Sequence, residues 1–254
     1  MFDIGANLTS SHFLDDLDEV LSNSLEAGVE KICITSSNLD DVKNAKKITE
    51  RYENIYYSVG FHPHNAKDFK IEYLNDMSTH LNDPKAICLG EMGLDFNRNF
   101  SSKEEQILCF ESQLDLADSI IKPLFLHQRD AHEEFLDILD NYKFNQNLIV
   151  HCFTGNLFEL EDYLKRDFYI GITGWVCDLK RGKELRECIK HIPEDKLLIE
   201  TDSPYLSPRK KIRRNEPKFL IDVVAEIALL RKETKESIIN SSFENSLNFF
   251  NLHR

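Results

Sequence analysis

Short apolar runs alternate along the chain with longer stretches in which apolar positions recur every three or four residues. The runs fall at residues 2–5, 31–35, 55–59, 86–90, 123–127, 148–152, 168–172 and 197–200. Each has the length of a strand buried on both faces, the kind a parallel sheet uses. The stretches between them read as helices. Ser102 followed three residues later by Glu105 is a capping box, and Ile107, Phe110, Leu114 and Ala117 continue it as an apolar face. Residues 130–139 and 156–164 repeat the scheme, and 216–254 hold two more amphipathic segments. Eight strand candidates, each followed by a helix candidate, predict an α/β protein: a single (β/α)8 TIM barrel with extra C-terminal helices. The 254 residues fit, since such barrels run to about 250. No linker divides the chain, so residues 1–254 are expected to be one domain. An open doubly wound sheet ranks second. It carries a Gly-rich phosphate turn after its first strand, which Asp3-Ile4-Gly5-Ala6-Asn7-Leu8 does not spell.

Charge narrows the reading. The net charge of −13 excludes a general basic coat for nucleic acid. A polyanion partner would need positive charge concentrated in one place. Arg209, Lys210, Lys211, Arg213 and Arg214 are such a concentration, five cations in six residues just after the last strand candidate. Read chemically, this run contacts a phosphate backbone; read blandly, it is a solvated loop. The six cysteines form no C-x-x-C pair and several lie in apolar runs, which points to free thiols in a reducing compartment. No basic-then-apolar leader opens the chain, and no run approaches the ~18 apolar residues of a membrane span. The expected location is the cytoplasm, with no membrane contact and no obligate protein partner.

Candidate chemistry gathers where strands end, the face on which such barrels place their active sites. The third run is followed by His62 and His64, the fourth by Glu91 and Asp95, the fifth by His127, Arg129 and Asp130, the sixth by His151, and the eighth by Asp202. A lone histidine at a strand end is usually structural, but clusters on five strands are harder to dismiss. Glu91, His127, His151 and Asp202 offer two imidazoles and two carboxylates, a donor set for a divalent cation. Trp175, after the seventh run, either lines the mouth or packs.

These motifs resemble the TatD-type metal-dependent deoxyribonucleases of the amidohydrolase-like barrels. The resemblance rests on DIGANLTS at the start, GFHPH at 60–64, GEMGLDFNRNF at 90–100, HQRDAH at 127–132, HCFTG at 151–155, GITGWVCD at 171–178, and ETDSPYL with RRNEP between 200 and 217. It implies a metal-dependent 3′-5′ exonuclease that prefers single-stranded DNA, with RNA as a further substrate, in DNA repair or degradation. It implies Mg2+ as the usual cation, with Mn2+ or Zn2+ as alternatives. Glu91, His127, His151 and Asp202 match the family's metal positions, and His62 matches an active-site histidine. Most relatives open with Asp-x-His-x-His, whereas Gly5 and Asn7 stand at those two positions here. One firmly held cation on Glu91, His127 and His151 is therefore expected, with a weaker second one near Glu91 and Asp202.

The expected reaction is hydrolysis of a phosphodiester at a DNA 3′ end. A cation polarises the phosphate and acidifies water. Glu91 and Asp202 serve catalysis, with Asp202 holding or deprotonating that water, and His62 contacts the phosphate or protonates the leaving oxygen. His64, Arg129 and the 209–214 run contact substrate, and Phe61, Phe96 or Trp175 stacks a terminal base. Two alternatives stand beside this. One is an amidohydrolase-like C–N or ester hydrolase, such as an aminoacyl-tRNA deacylase. Many of these use a lysine at the end of the fifth or sixth strand, and none is found there. The other is a non-catalytic nucleic-acid-binding barrel.

Overall fold

The computed structural model describes residues 1–253. The strands are β1 (Phe2–Ala6), β2 (Lys31–Ile34), β3 (Ile55–Val59), β4 (Ala86–Asp95), β5 (Leu124–Arg129), β6 (Leu148–Val150), β7 (Tyr169–Ile172) and β8 (Leu197–Ile199). They lie in one sheet in the order β1 to β8. Just past β8, Ser203 bridges in parallel to Ala6 of β1, the pairing expected of a (β/α)8 barrel. The helices are α1 (Leu17–Glu26), α2 (Leu39–Thr49), α3 (Tyr73–Leu81), α4 (Lys103–Ala117), α5 (His132–Leu139), α6 (Leu157–Lys165), α7 (Lys183–Cys188), α8 (Leu220–Arg231) and α9 (Lys235–Phe250). The chain separates into two compact units, one of residues 35–151 and one of residues 1–34 with 152–254.

In the 35–151 unit, β4 runs to Asp95, five residues beyond the apolar stretch, and all ten of its residues are buried. Its register with β5 steps from Gly90↔Phe125 to Met92↔Leu126, which leaves Glu91 as the extra residue of a bulge. A bulge re-aims its side chain and increases local twist. Gly90 and Gly93 have φ of +141° and +145°, and a Cβ on either would lie 2.1 Å from the Phe125 carbonyl oxygen or 1.9 Å from that of His127. Only glycine permits this approach of β4 to β5.

Helix α4 locks the same strand ends. Ser102 and Glu105 form the expected capping box. From its buried face, Gln106 accepts from the Asp95 amide at 2.8 Å and donates to the Asp95 and Ser101 carbonyls at 3.1 and 3.0 Å. Gln113 does the same for Phe61, accepting at 2.8 Å and donating at 3.1 Å. These amides satisfy backbone groups where the strand ladders have run out. Phe110 of α4 stacks on Phe135 of α5 at 5.4 Å, and burying such a ring contributes roughly 1.5–3 kcal/mol. At the strands' starting ends, the Lys122 ammonium donates to the carbonyls of Asp83 and Ala86, and that of Lys85 to Tyr52, Glu53 and Ile55. Helix α5 begins at His132 and not at Asp130, which sits at φ +53° and turns the chain.

In the other unit, α6 opens with a capping box of Asn156 and Glu159. The two C-terminal helices expected in 216–254 are α8 and α9. Phe250 of α9 packs on Phe2 of β1, and Phe249 on Tyr169 of β7, each at 5.3 Å. Asn245 donates to the Glu194 and Leu197 carbonyls at 2.7 and 3.0 Å, tying α9 to the start of β8.

Candidate active site

Three imidazoles converge on one carboxylate oxygen. Glu91 Oε1 lies 2.6 Å from His151 Nε2, 2.9 Å from His127 Nδ1 and 3.0 Å from His62 Nε2. His127 Nδ1 and His151 Nε2 are themselves 3.3 Å apart. Glu91, His62 and His151 are buried, with Glu91 4% exposed, and His127 is partly buried. Burial alone would raise the Glu91 carboxyl. The surrounding imidazoles, His151 first among them, outweigh it and hold the group well below its usual range.

The tautomers divide the histidines by role. His62 Nδ1 accepts the His64 backbone N–H at 3.0 Å, so that nitrogen carries no proton. Burial, helped by the neighbouring His127 and His64, pushes the His62 pKa down to about 4 against the pull of Glu91. At neutral pH the ring is neutral, and its one proton sits on Nε2, facing Glu91. An N–H donates and does not ligate, although His62, Glu91 and His127 do bring ligand-type atoms within 4.8 Å of one another. His127 is arranged in the opposite sense. Its Nε2 is 3.4 Å from Asp95 Oδ2, close but without hydrogen-bond alignment, and a proton there leaves Nδ1 with a lone pair toward Glu91 and His151. A carboxylate behind a histidine is the usual support of a metal-binding imidazole. Burial would lower the His127 pKa, but Asp95 and Glu91 together raise it.

The donor set fits a cation. With its Nδ1 lone pair turned to the Glu91 carboxylate, His127 sets acceptor against acceptor, an arrangement that a cation between them relieves. Ligand atoms about 2.0–2.2 Å from a common cation would stand about 3.0–3.6 Å from one another. Glu91 Oε1, His127 Nδ1 and His151 Nε2 are separated by 2.6–3.3 Å, close to that spacing.

Asp95 anchors the surroundings. Its Oδ2 pairs with His64 Nε2 at 2.7 Å, and its Oδ1 accepts the Asn97 and Arg98 amides at 3.0 and 2.8 Å. Burial would raise its pKa, yet His127, His64 and the Arg98 amide hold the carboxyl far below its usual range. Arg129 closes β5, partly buried, with no ion pair among the described residues. Phe61, expected to stack a base, is 3% exposed and stacked on Tyr73 at 5.7 Å, so it packs the core instead. Phe96 is partly buried, with the Lys103 ammonium 4.2 Å from its ring centre.

Asp202 belongs to the other unit, where the end of β1 holds it. It adopts φ +52°, and its amide donates to the Gly5 carbonyl at 2.8 Å. Asn7 Nδ2 donates to Asp202 Oδ1 at 2.8 Å, and the Asn7 amide donates to the Ser203 carbonyl at 2.7 Å. Asn7 therefore supports Asp202 directly. Asp3, fully buried, accepts from the Thr201 amide at 2.9 Å, the Thr201 hydroxyl at 2.6 Å and the Gly5 amide at 3.3 Å. Burial, with the charge of Glu200 adding to it, pushes the Asp3 pKa up to about 8 against these donors. Trp175 donates its Nε1–H to the Arg181 carbonyl at 3.2 Å and carries the Arg181 guanidinium 4.5 Å from its ring centre.

The basic run is not uniform. Arg209 pairs with Asp222 at 2.6 Å, and Arg214 pairs with Asp16 at 2.7 Å and Glu216 at 3.0 Å. Lys210, Lys211 and Arg213 are exposed and make no ion pair among the described residues. Sequence reasoning missed the bracing roles of Gln106, Gln113, Asn7 and Asp3. Gln106 and Gln113, seven residues apart on an otherwise apolar helix face, were a signal that could have been read.

Residues 2–251 match the family model of TatD-related DNases. The chain belongs to the TatD-related DNase family. A protein of Salmonella typhimurium named 3′-5′ ssDNA/RNA exonuclease TatD is 42% identical over 256 residues, covering 98% of each chain. A Shigella flexneri protein of the same name is 44% identical over 239 residues, 92% of each. Among solved structures, a TatD-family hydrolase from Entamoeba histolytica superposes with a TM-score of 0.90 at 28% identity, over 98% of this chain and 97% of its own. A TatD homologue from Escherichia coli K12 reaches a TM-score of 0.92 at 25% identity, over 100% and 98%. The family is metal-dependent, in keeping with the donor set around Glu91. No helix among the described residues is long and apolar enough to cross a membrane.

Proposed function

We propose that this TatD-family chain is a metal-dependent 3′-5′ exonuclease that hydrolyses single-stranded DNA and RNA in the cytoplasm, acting in DNA repair or degradation. The observation that carries the reading is the convergence of His127 Nδ1 and His151 Nε2 on Glu91 Oε1 at 2.9 and 2.6 Å. The relatives' shared name supports the substrate and the direction of attack. Residues 1–254 act as one hydrolase domain, a reading supported by the unbroken strand order.

Glu91, His127 and His151 would hold the cation, and Asp202 would contribute a further carboxylate. Mg2+ is the cation in use, and the two imidazoles would accept Mn2+ or Zn2+ through the same atoms. A bound divalent cation supplies Lewis acidity toward a phosphate oxygen and lowers the pKa of water. Asp202, steadied by Asn7, takes the proton from the attacking water. Neutral His62 carries its one N–H on Nε2, which turns from the Glu91 carboxylate oxygen to donate a hydrogen bond to the scissile phosphate when substrate binds. His64, Arg129 and Trp175 contact the substrate, and Lys210, Lys211 and Arg213 offer unpaired charge to its backbone. Arg209 and Arg214 contribute through the loop they brace.

The test is digestion of a single-stranded oligonucleotide labelled at its 5′ end, with Mg2+ or Mn2+. A ladder of products shortened from the 3′ end is expected, with none from Glu91→Gln. An intact oligonucleotide under all cations, with turnover of an amide or ester panel, would replace this reading with the C–N hydrolase.

A further inference from the structure

Among the large apolar side chains at the surface, Phe100 is set apart by its surroundings. It is 57% exposed. Its ring meets the His64 ring edge-on at 4.9 Å, and His64 in turn contacts His62 at 4.3 Å between ring centres. A single exposed ring needs no explanation by itself. The frame around this one does.

The loop of residues 96–101 is clamped at both ends by a single buried side chain, Gln106, which bonds the Asp95 amide, the Asp95 carbonyl and the Ser101 carbonyl. Within it, Asp95 Oδ1 binds two successive amides, and Asn99 Nδ2 donates to the Phe96 carbonyl at 2.7 Å. Asn97 Nδ2 donates to Asp130 Oδ2 at 2.6 Å. The residue after Phe100 is tied down too. The Ser101 hydroxyl donates to the His64 carbonyl at 3.2 Å and accepts the Lys67 amide at 3.0 Å. A loop fixed this thoroughly keeps an apolar ring in water beside the active-site imidazoles. Two residues earlier it carries Arg98, exposed and without an ion pair among the described residues.

An open aromatic face and an unpaired guanidinium on one rigid loop are what a single-stranded nucleic acid recognises, a stacking surface for a base and a charge for its backbone. Two other rings that follow β3 and β4 do not offer this. Phe61 is buried and Phe96 is capped by Lys103. We propose that Phe100 is the platform on which the base of the 3′-terminal nucleotide stacks, with Arg98 drawing in the adjacent backbone phosphate. The proposal rests on the exonuclease reading and adds the residue that grips the terminal nucleoside. Stacking is indifferent to hydrogen-bonding edges, so the subsite accepts any base and binds purines more tightly than pyrimidines.

The test compares two oligonucleotides of one sequence, the second ending in an abasic 3′ nucleotide, with wild-type protein, Phe100→Ala and Phe100→Trp. Phe100→Ala should raise KM for the ordinary oligonucleotide by about five- to 150-fold. It should change KM for the abasic one less than twofold, and Phe100→Trp should restore wild-type behaviour. A 2-aminopurine at the 3′ terminus, mixed rapidly with wild-type protein, should be quenched before product forms, and Phe100→Ala should abolish that quench. Equal loss on both oligonucleotides, or no loss on either, would overturn the stacking role while leaving the exonuclease reading intact. Failure of the wild-type protein to shorten either oligonucleotide would remove that reading and this proposal together.

Discussion

Glu91 and Asp202 are both carboxylates at strand ends, and the fold treats them differently. In the 35–151 unit, Glu91 sits on a bulge and is surrounded by imidazoles, buried and held ionised by charge. In the unit of 1–34 and 152–254, Asp202 sits in a left-handed turn, its carboxylate accepting from the Asn7 side-chain amide and its own N–H donating to the Gly5 carbonyl. The first arrangement suits a permanent cation, because its compensating groups are themselves ligands. The second positions a carboxylate through a side-chain amide, a support that is not itself a metal ligand. The same contrast separates the cations. Arg209 and Arg214 are spent on internal carboxylates, whereas Lys210, Lys211 and Arg213 are left to solvent.

The sharpest way to break this contrast is Asp202→Ala. Turnover should fall by at least about a hundredfold, as for a lost general base, in steady-state cleavage of an oligonucleotide. Near-normal turnover would move the base elsewhere. On the other side, Asp95→Asn removes the charge behind His127 and His64. It should weaken cation affinity by about ten- to a hundredfold, read by titration of Mn2+. Unchanged affinity would mean that Asp95 serves the loop and not the ligand.

A smaller effect separates the two classes of basic residue. Replacing Lys210, Lys211 and Arg213 together by Gln should flatten the slope of log affinity against log salt by up to about two units, at about 0.7 per lost phosphate contact. Arg214→Gln should instead lower thermal stability and leave the slope alone, because its charge is already paired. Equal slopes in the triple variant and the wild type would reduce the run to a solvated loop.

A further effect, read on stability and not on activity, belongs to Asp3. Its pKa in the folded protein is about 8, above the ordinary carboxylate value of 3.8. Between those values the folded state keeps a proton that the unfolded state has lost, so this group's contribution falls as pH rises from about 4 to 8. Asp3→Asn, which imitates the protonated carboxyl, should lose less Tm between pH 5 and pH 8 than the wild type. Parallel curves would contradict the shift.

Much of this was legible in the one-dimensional pattern, and the gaps have physical causes. The capping box of Ser102 and Glu105 depends on residues three apart and could be read directly. The end of β4 could not. Gly90, Glu91 and Gly93 look like a turn, yet they extend the strand because glycine lets it approach β5. The five cations of 209–214 are alike in sequence, and only partners as distant as Asp16 and Asp222 distinguish them. Phe61 and Phe100 are equally aromatic, and burial alone assigns one to the core and the other to the surface. Asn7 reads as a missing ligand until its amide is seen on Asp202.

The most direct test of the metal centre is to count bound Mn2+ by calorimetry in the wild type, Asp202→Ala and Glu91→Gln, each checked for folding by circular dichroism. With Glu91, His127 and His151 as the holding set, the wild type binds one cation tightly, Asp202→Ala retains it, and Glu91→Gln loses it. Tight binding in folded Glu91→Gln, or its loss in folded Asp202→Ala, would contradict that assignment.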